Sequence, residues 1–227
     1  MVINKKEDFI KLTSEYEINP LIARLLANRG IVNKKEASLF LKGTVNDLND
    51  ASLMKDMKKA VSIIKDAIEE KKKIVIYGDY DCDGVCSTTI LYRTLKKLGA
   101  NFDYYIPNRE DEGYGMNSDR IRKLKSEGAE VILTCDNGIS AMEQVEVAKD
   151  LGLTVIITDH HDIPYIEKDG KRINVVPNSD CVINPKQENC EYPFKELCGA
   201  GVALKFSMEL VNSMKRSFSE FYDLFQY

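Results

Sequence analysis

Four short apolar runs, separated by helical segments, constrain the fold of this chain more than any other feature. The apolar runs lie at Ile74–Tyr77, Phe102–Ile106, Val131–Cys135 and Leu153–Thr158. Helical patterns are predicted between them, at about residues 85–98, 118–125 and 141–151. Strands that alternate with helices indicate βαβ units and a parallel sheet. We therefore predict an α/β fold, a parallel β-sheet flanked by helices.

The first fifty residues have a different pattern. Asn19 and Pro20 are typical of a helix start and Gly30 of its end, and a second helix is predicted over about 34–41. The stretch from residue 46 to 52 is polar and resembles a linker. We expect a helical N-terminal segment over residues 1–50 and the α/β lobe over residues 51–227.

Composition and charge exclude several classes of protein. No apolar run approaches the roughly 20 residues of a membrane-spanning helix, and the N-terminus has no apolar signal core, so we expect a cytoplasmic protein without a membrane anchor. None of the six cysteines forms a C-x-x-C pair, which argues against a zinc ribbon or a thioredoxin-type site. The net charge of −4 argues against binding of nucleic acid by bulk positive charge. Two divalent cations would add +4 and bring that charge to zero.

The residues that follow each predicted strand carry most of the chemistry. In open parallel sheets, ligands bind beyond the carboxyl ends of the strands. The sequence after the four runs is rich in carboxylates and imidazoles, with one arginine; the segments are Gly78–Gly84, Pro107–Arg109, Asp136–Gly138 and Asp159–Asp162. Unpaired carboxylates gathered at one edge would repel each other, and a bound cation removes that repulsion. Oxygen and imidazole ligands suit Mn²⁺ or Mg²⁺.

Each of these segments also has an ordinary structural interpretation. Aspartates at alternate positions can form an exposed acidic turn, Asp136-Asn137-Gly138 is a common turn sequence, and two adjacent histidines can pack in a loop. A single arginine is most often a surface residue. Their joint occurrence at successive strand ends is what favours a functional site.

The ordered set of motifs resembles the DHH phosphoesterase superfamily, and within it the RecJ-like branch of single-strand-specific DNA exonucleases. The resemblance rests on four segments and extends over most of the chain, from about residue 19 to 206; the segments are Asp79–Gly84, Pro107–Arg109 with Glu112–Gly115, Asp136–Ile139, and Asp159–His161. It implies two divalent ions, Mn²⁺ or Mg²⁺, and 5′→3′ hydrolysis of single-stranded DNA to 5′-mononucleotides in repair and recombination. A single-strand-binding protein or a helicase is a candidate partner.

The resemblance also assigns roles to individual residues. It implies metal ligation by five side chains, with Asp136 bridging both ions and Asp79 ligating or supporting the first; the five are Asp79, Asp81, Asp83, Asp136 and His160. It places His161 against a phosphate oxygen and Asp159 behind the histidine pair. It also implies that Arg109 holds a substrate phosphate. Asn108, and Tyr114 as a surface on which a base could stack, are further candidate substrate contacts.

The chain departs from the branch in one respect and leaves two alternatives open. Nothing after Val202 matches the later acidic motif of RecJ-like proteins, so we expect an N-terminal portion of a longer enzyme that ends before that motif and the second lobe, and that is weak or inactive alone. One alternative is a DHH phosphodiesterase acting on short oligonucleotides or cyclic dinucleotides, or a pyrophosphatase; such relatives typically carry a histidine where this chain has Tyr77. The other is a non-catalytic DHH-like binding module.

Overall fold

The computed structural model describes residues 6–16, 18–108, 110 and 115–227. The chain divides into two compact units, with the boundary between Asn49 and Asp50. In the first unit the helices are α1 (Lys6–Tyr16), α2 (Pro20–Asn28) and α3 (Lys34–Lys42), followed by a 3-10 turn at Val45–Asp47. Asn19 caps α2 by accepting a 2.8 Å hydrogen bond from the backbone of Leu21. Helix α1 lies within the segment predicted to be helical, although no bounds were predicted for it.

The second unit is built on a five-stranded parallel sheet. Its strands are β1 (Ile74–Tyr77), β2 (Phe102–Tyr105), β3 (Val131–Cys135), β4 (Thr154–Thr158) and β7 (Cys181–Ile183), in the spatial order β2-β1-β3-β4-β7. Every neighbouring pair in this sheet is parallel. The predicted parallel sheet is confirmed.

Helices cover both faces of the sheet. The helices are α4 (Met57–Glu69), α5 (Cys82–Lys97), α6 (Ser118–Ser126), α7 (Met142–Asp150) and α8 (Gly199–Ser213), with 3-10 turns at Ala51–Leu53 and Phe218–Gln226. Alternate strand residues serve two cores: Ile76 and Leu133 pack with α4, α5 and α8, while Val75 and Ile132 pack with α6 and α7. This two-sided burial is why β1, β3 and β4 are short apolar runs, whereas the edge strand β2 is partly exposed and contains Asp103.

Three parts of this unit differ from the sequence prediction, and the first is β7, the fifth strand of the sheet, which was not predicted. Helix α5 begins at Cys82 rather than at about residue 85, because the side chain of Asp81 caps it by accepting a 2.9 Å hydrogen bond from Gly84 N. An antiparallel hairpin of β5 (Tyr165–Lys168) and β6 (Lys171–Asn174), which was not predicted, precedes β7. No described helix is long and apolar enough to cross a membrane.

Candidate metal centre

The order of the strands fixes where a ligand site can form. From β1 the chain crosses to β2 on one side, and β3 then pairs with β1 on the other side. The carboxyl ends of β1 and β3 therefore lie at the topological switch point of the sheet, where open α/β sheets bind ligands. Asp79 follows β1, Asp136 follows β3, and Asp159 follows β4.

The three aspartates after β1 have different surroundings. Asp79 is buried, Asp81 is exposed and caps α5, and Asp83 lies in the first turn of that helix. The carboxylate of Asp83 accepts hydrogen bonds from the backbone amides of Gly199 (2.6 Å) and Ala200 (2.7 Å). Those amides begin α8, and a helix N-terminus favours negative charge. Asp83 therefore joins the N-termini of two helices.

Asp136 is held in a conformation that few non-glycine residues adopt. Its φ is +59°, its side chain is 1% exposed, and its backbone nitrogen donates a 3.0 Å hydrogen bond to Thr158 O. The carboxylate faces Gly199, where an added Cβ would lie only 2.5 Å from Asp136 Oδ1. Glycine at position 199 therefore gives this carboxylate its space.

Asp159 is almost completely engaged in hydrogen bonds. Its Oδ1 accepts from His160 N (2.7 Å) and His161 N (3.1 Å) and lies 2.7 Å from His161 Nδ1, while Oδ2 accepts from Ile139 N at 2.9 Å. A carboxylate used in this way orients the imidazole and is poorly available as a ligand. This is the position behind the histidine pair that the family resemblance implied.

The predicted ligands converge on Asp136. Potential donor atoms of Asp79, Asp81 and Asp136 lie within 4.8 Å of one another, and so do those of Asp136, His160 and His161. His160 Nε2 is 3.1 Å from Asp136 Oδ1 and 3.4 Å from Asp83 Oδ2. Asp136 thus belongs to both groups. Asp83 lies next to the second group, because its carboxylate is close to His160.

The electrostatics at this edge disfavour a metal-free state. Burial, and then the charges of Asp83 and Asp81, raise the pKa of Asp136 to about 8. Burial also raises the pKa of Asp79. The hydrogen bond with Asp159 raises the pKa of His161 to about 8. Burial alone would raise the pKa of Asp159, but hydrogen bonds from His161 and Ile139 hold it below its ordinary value.

A hard divalent cation fits these residues. The Oδ1 atoms of Asp79 and Asp136 are buried and accept no hydrogen bond of acceptable geometry from the residues that the structure describes. Adjacent ligands of an octahedral ion with bonds of about 2.1 Å are about 3.0 Å apart. The 3.1 Å between Asp136 Oδ1 and His160 Nε2 matches that spacing. The donor set of carboxylates and imidazole is the one expected for Mn²⁺ or Mg²⁺.

The predicted substrate contacts are described only in part. Asn108 is exposed, and its Oδ1 accepts a 3.0 Å hydrogen bond from Glu110 N. Arg109 and Tyr114 lie outside the described residues, as do Glu112 and Gly113. His161 lies beside a cavity of 260 Å³ whose wall includes Met116, Asn137, Gly138, Ser140 and Gln144.

Sequence reasoning missed the contribution of α8. Gly199 and Ala200 follow Cys198, and no role at the site was predicted for them. Their amides hold Asp83, and Gly199 makes room for Asp136. The signal was a glycine-rich helix start, since such N-termini bind anions.

Comparisons with known proteins agree with this geometry. A model of the "DHH family, N-terminal domain" matches residues 73–224. The single-stranded-DNA-specific exonuclease RecJ of Bacillus subtilis is 46% identical over 209 residues, which cover 92% of this chain and 25% of that relative. RecJ of Escherichia coli is 36% identical over 86% of this chain and 32% of that relative. A crystal structure of exonuclease RecJ bound to manganese superposes with a TM-score of 0.60 at 30% identity, over 72% of this chain and 39% of the other.

Proposed function

This chain belongs to the DHH family, and from that membership we propose that it is the metal-binding lobe of a RecJ-like, single-strand-specific DNA exonuclease. The reaction would be 5′→3′ hydrolysis of phosphodiester bonds with release of 5′-mononucleotides, in DNA repair and recombination. One observation carries the proposal. Asp136 is buried, has an unsatisfied carboxylate oxygen, and belongs to two groups of candidate metal ligands.

Mn²⁺ or Mg²⁺ is the proposed cofactor, as two ions. The manganese-bound RecJ structure supports this, as does the set of oxygen and imidazole donors at the switch point. Asp79, Asp81, Asp83, Asp136 and His160 would hold the ions. When bound, such ions lower the pKa of water and neutralise charge on a phosphate.

The chain's own residues would prepare the substrate. Asp159 fixes the ring of His161 and raises its pKa to about 8, so His161 carries a positive charge at neutral pH. A cation beside the carboxylate cluster would attract a phosphate oxygen. Contacts to the strand by Arg109, Asn108 and Tyr114 stay predictions from sequence.

The chain is short relative to the proteins it resembles. It spans about a quarter to a third of the length of the curated relatives it matches. The division into a helical leader over residues 1–50 and a catalytic lobe over 51–227 is part of this proposal. A cytoplasmic location and a single-strand-binding protein or helicase as partner also stay predictions.

The competing functions predict different substrates. Tyr77, which stands where small-substrate relatives typically carry histidine, is buried, and its hydroxyl accepts a 3.1 Å hydrogen bond from Asn117 N. No imidazole is therefore available at that position, which favours the RecJ-like interpretation. A non-catalytic module would not need so many unsatisfied carboxylates.

Hydrolysis under single-turnover conditions tests the proposal. The chain, in excess over a 3′-labelled single-stranded oligonucleotide, should release 5′-mononucleotides slowly with Mn²⁺ and should spare a duplex. Asp136→Asn should lose this activity. Cleavage of cyclic dinucleotides in preference to the oligonucleotide would support the small-substrate alternative, and equal activity of Asp136→Asn would contradict the site.

A further inference from the structure

The β5–β6 hairpin follows the histidine pair and stands apart from the parallel sheet. Its arms pair Ile166 with Ile173 and Lys168 with Lys171. Asp169 and Gly170 form the turn, with φ of +53° and +71°, as in a tight two-residue hairpin turn. All eight strand residues are exposed. A two-stranded hairpin without a packed face gains little stability by itself, so contact with a binding partner would stabilise it.

The two faces of the hairpin differ in chemistry. One carries Tyr165, Glu167, Arg172 and Asn174, and the guanidinium of Arg172 lies 4.4 Å from the centre of the Tyr165 ring. This face contains its own compensating charges. The opposite face carries the isoleucine pair and the lysine pair, and we call it the Ile-Lys face.

The Ile-Lys face combines exposed apolar surface with uncompensated positive charge. Ile166 is 53% exposed and Ile173 is 44% exposed. Lys168 and Lys171 stand directly opposite each other, an arrangement that destabilises a sheet. No ion pair joins either lysine to a residue in the described part of the chain.

The acidic residues close in sequence form no ion pair with these lysines among the described residues. Asp162 pairs with Lys186 at 2.8 Å, Glu167 is on the other face, and Asp169 is in the turn. The Ile-Lys face is therefore complementary to a polyanion that also has apolar surfaces.

The hairpin is fastened close to the candidate metal centre. Only three residues separate His161 from Tyr165, so their Cα atoms are at most about 14 Å apart. Val175 N donates a 2.8 Å hydrogen bond to Pro164 O and closes the base of the hairpin. Asn184 Nδ2 donates to His161 O at 2.9 Å. A single-stranded DNA bound at the histidines could therefore extend to the hairpin.

We propose that the Ile-Lys face binds single-stranded DNA beside the metal centre, with phosphates at Lys168 and Lys171 and bases packed on Ile166 and Ile173. This inference rests on the proposed function, because it takes the same substrate. Paired lysines without acidic partners match phosphates, and single-strand sites combine cationic side chains with surfaces on which bases pack. A protein partner would not require two adjacent lysines beside exposed isoleucines.

Salt-dependent DNA binding tests the lysine pair. The variant Lys168→Gln/Lys171→Gln removes two phosphate contacts, and it should not unfold the hairpin, because it removes a like-charge pair. We expect its affinity for a 15-nucleotide single strand in EDTA to fall about 10-fold, as two exposed ion pairs imply. The slope of log K against log salt should fall by about 1.4, at 0.7 for each phosphate. Fluorescence anisotropy measures both.

A matched control keeps the test specific. Lys123→Gln/Lys125→Gln makes the same charge change near the C-terminal end of α6, which leads into the amino end of β3. The site lies at the carboxyl ends of the strands, so this control should keep the parent's affinity and slope. Ile166→Thr/Ile173→Thr keeps β-branching and should weaken binding without changing the slope. An unchanged affinity and slope in the Lys168→Gln/Lys171→Gln variant would overturn the inference, as would an equal loss in the control.

Hydrolysis separates this inference from the proposed function. With Mn²⁺, the Lys168→Gln/Lys171→Gln variant should need more DNA for half-saturation but keep its rate at saturation. If the parent chain neither binds Mn²⁺ nor hydrolyses DNA while the binding difference persists, the exonuclease proposal fails and the hairpin inference stands for DNA binding alone.

Discussion

The ends of β3 and β4 look alike in sequence and are opposite in chemistry. These two strands are neighbours, and a buried aspartate follows each of them: Asp136 follows β3 and Asp159 follows β4. Asp159 is surrounded by donors, which hold its pKa below the ordinary value. Asp136 faces other carboxylates and keeps an unsatisfied oxygen, and its pKa is raised to about 8. Local donors, rather than position at a strand end, decide which aspartate supports the site and which can bind metal.

The largest expected effect comes from removing the supporting carboxylate. Asp159→Asn replaces one carboxylate oxygen with an NH₂ group, which faces the N–H groups of Ile139, His160 and His161. At least one of these donors is then left without an acceptor. We expect the free energy of unfolding at pH 7 in EDTA to fall by about 3 kcal/mol. Urea denaturation measures it. The control is Asp162→Asn, whose side chain is 92% exposed and which should leave the free energy of unfolding almost unchanged. Equal losses in the two variants would contradict the supporting role.

A substitution at the other strand end should act with the opposite sign. Asp136→Asn removes a charge that burial and neighbouring carboxylates disfavour. We expect the free energy of unfolding of the metal-free chain to rise by about 2 kcal/mol at pH 9. Each unit of pKa shift corresponds to about 1.36 kcal/mol, and relaxation of the surrounding structure reduces the total. The same urea titration in EDTA measures the gain. A loss of stability at pH 9 would show that this carboxylate is already compensated.

The pH dependence of stability sharpens the comparison further. Asp136 and His161 both have folded-state pKa values raised to about 8, from ordinary values of 3.8 and 6.5. Above pH 6.5 the folded chain therefore binds more protons than the unfolded chain, and stability falls as pH rises. We expect a decrease of about 1.5 kcal/mol between about pH 6.5 and 8.5 in EDTA, measured by urea denaturation.

Most of this decrease should come from Asp136, because the side chain of His161 is 44% exposed and solvent screens its interactions. Asp136→Asn should flatten the profile, while saturating Mn²⁺ should keep Asp136 ionised and have a similar effect. A profile that rises with pH over this range would refute the assignment of these shifts.

The sequence predicted the part of the site that depends on strand ends. β1 and β3 have the predicted bounds, and the residues that follow them meet because parallel strands end at one edge. The glycine-rich start of α8 indicates an anion site, but its pairing with Asp83 could not be predicted, since Asp83 and Gly199 are 116 residues apart in sequence and meet only through tertiary packing. The hairpin was missed because its two strands have only four residues each, are mostly polar without a period-two pattern, and bury no face. Which aspartates are satisfied depends on amide positions that only the folded backbone provides.

Proton release on metal binding tests the central difference between the two strand ends. At pH 7 a carboxylate with a pKa of about 8 is mostly protonated, so a metal that binds Asp136 must displace its proton. Calorimetric titration of Mn²⁺ in buffers of different ionisation enthalpy should give close to one proton released per Asp136 in the parent chain. Asp136→Asn should bind Mn²⁺ at least tenfold more weakly and release no such proton. Equal Mn²⁺ affinity and equal proton release in the two proteins would contradict the account.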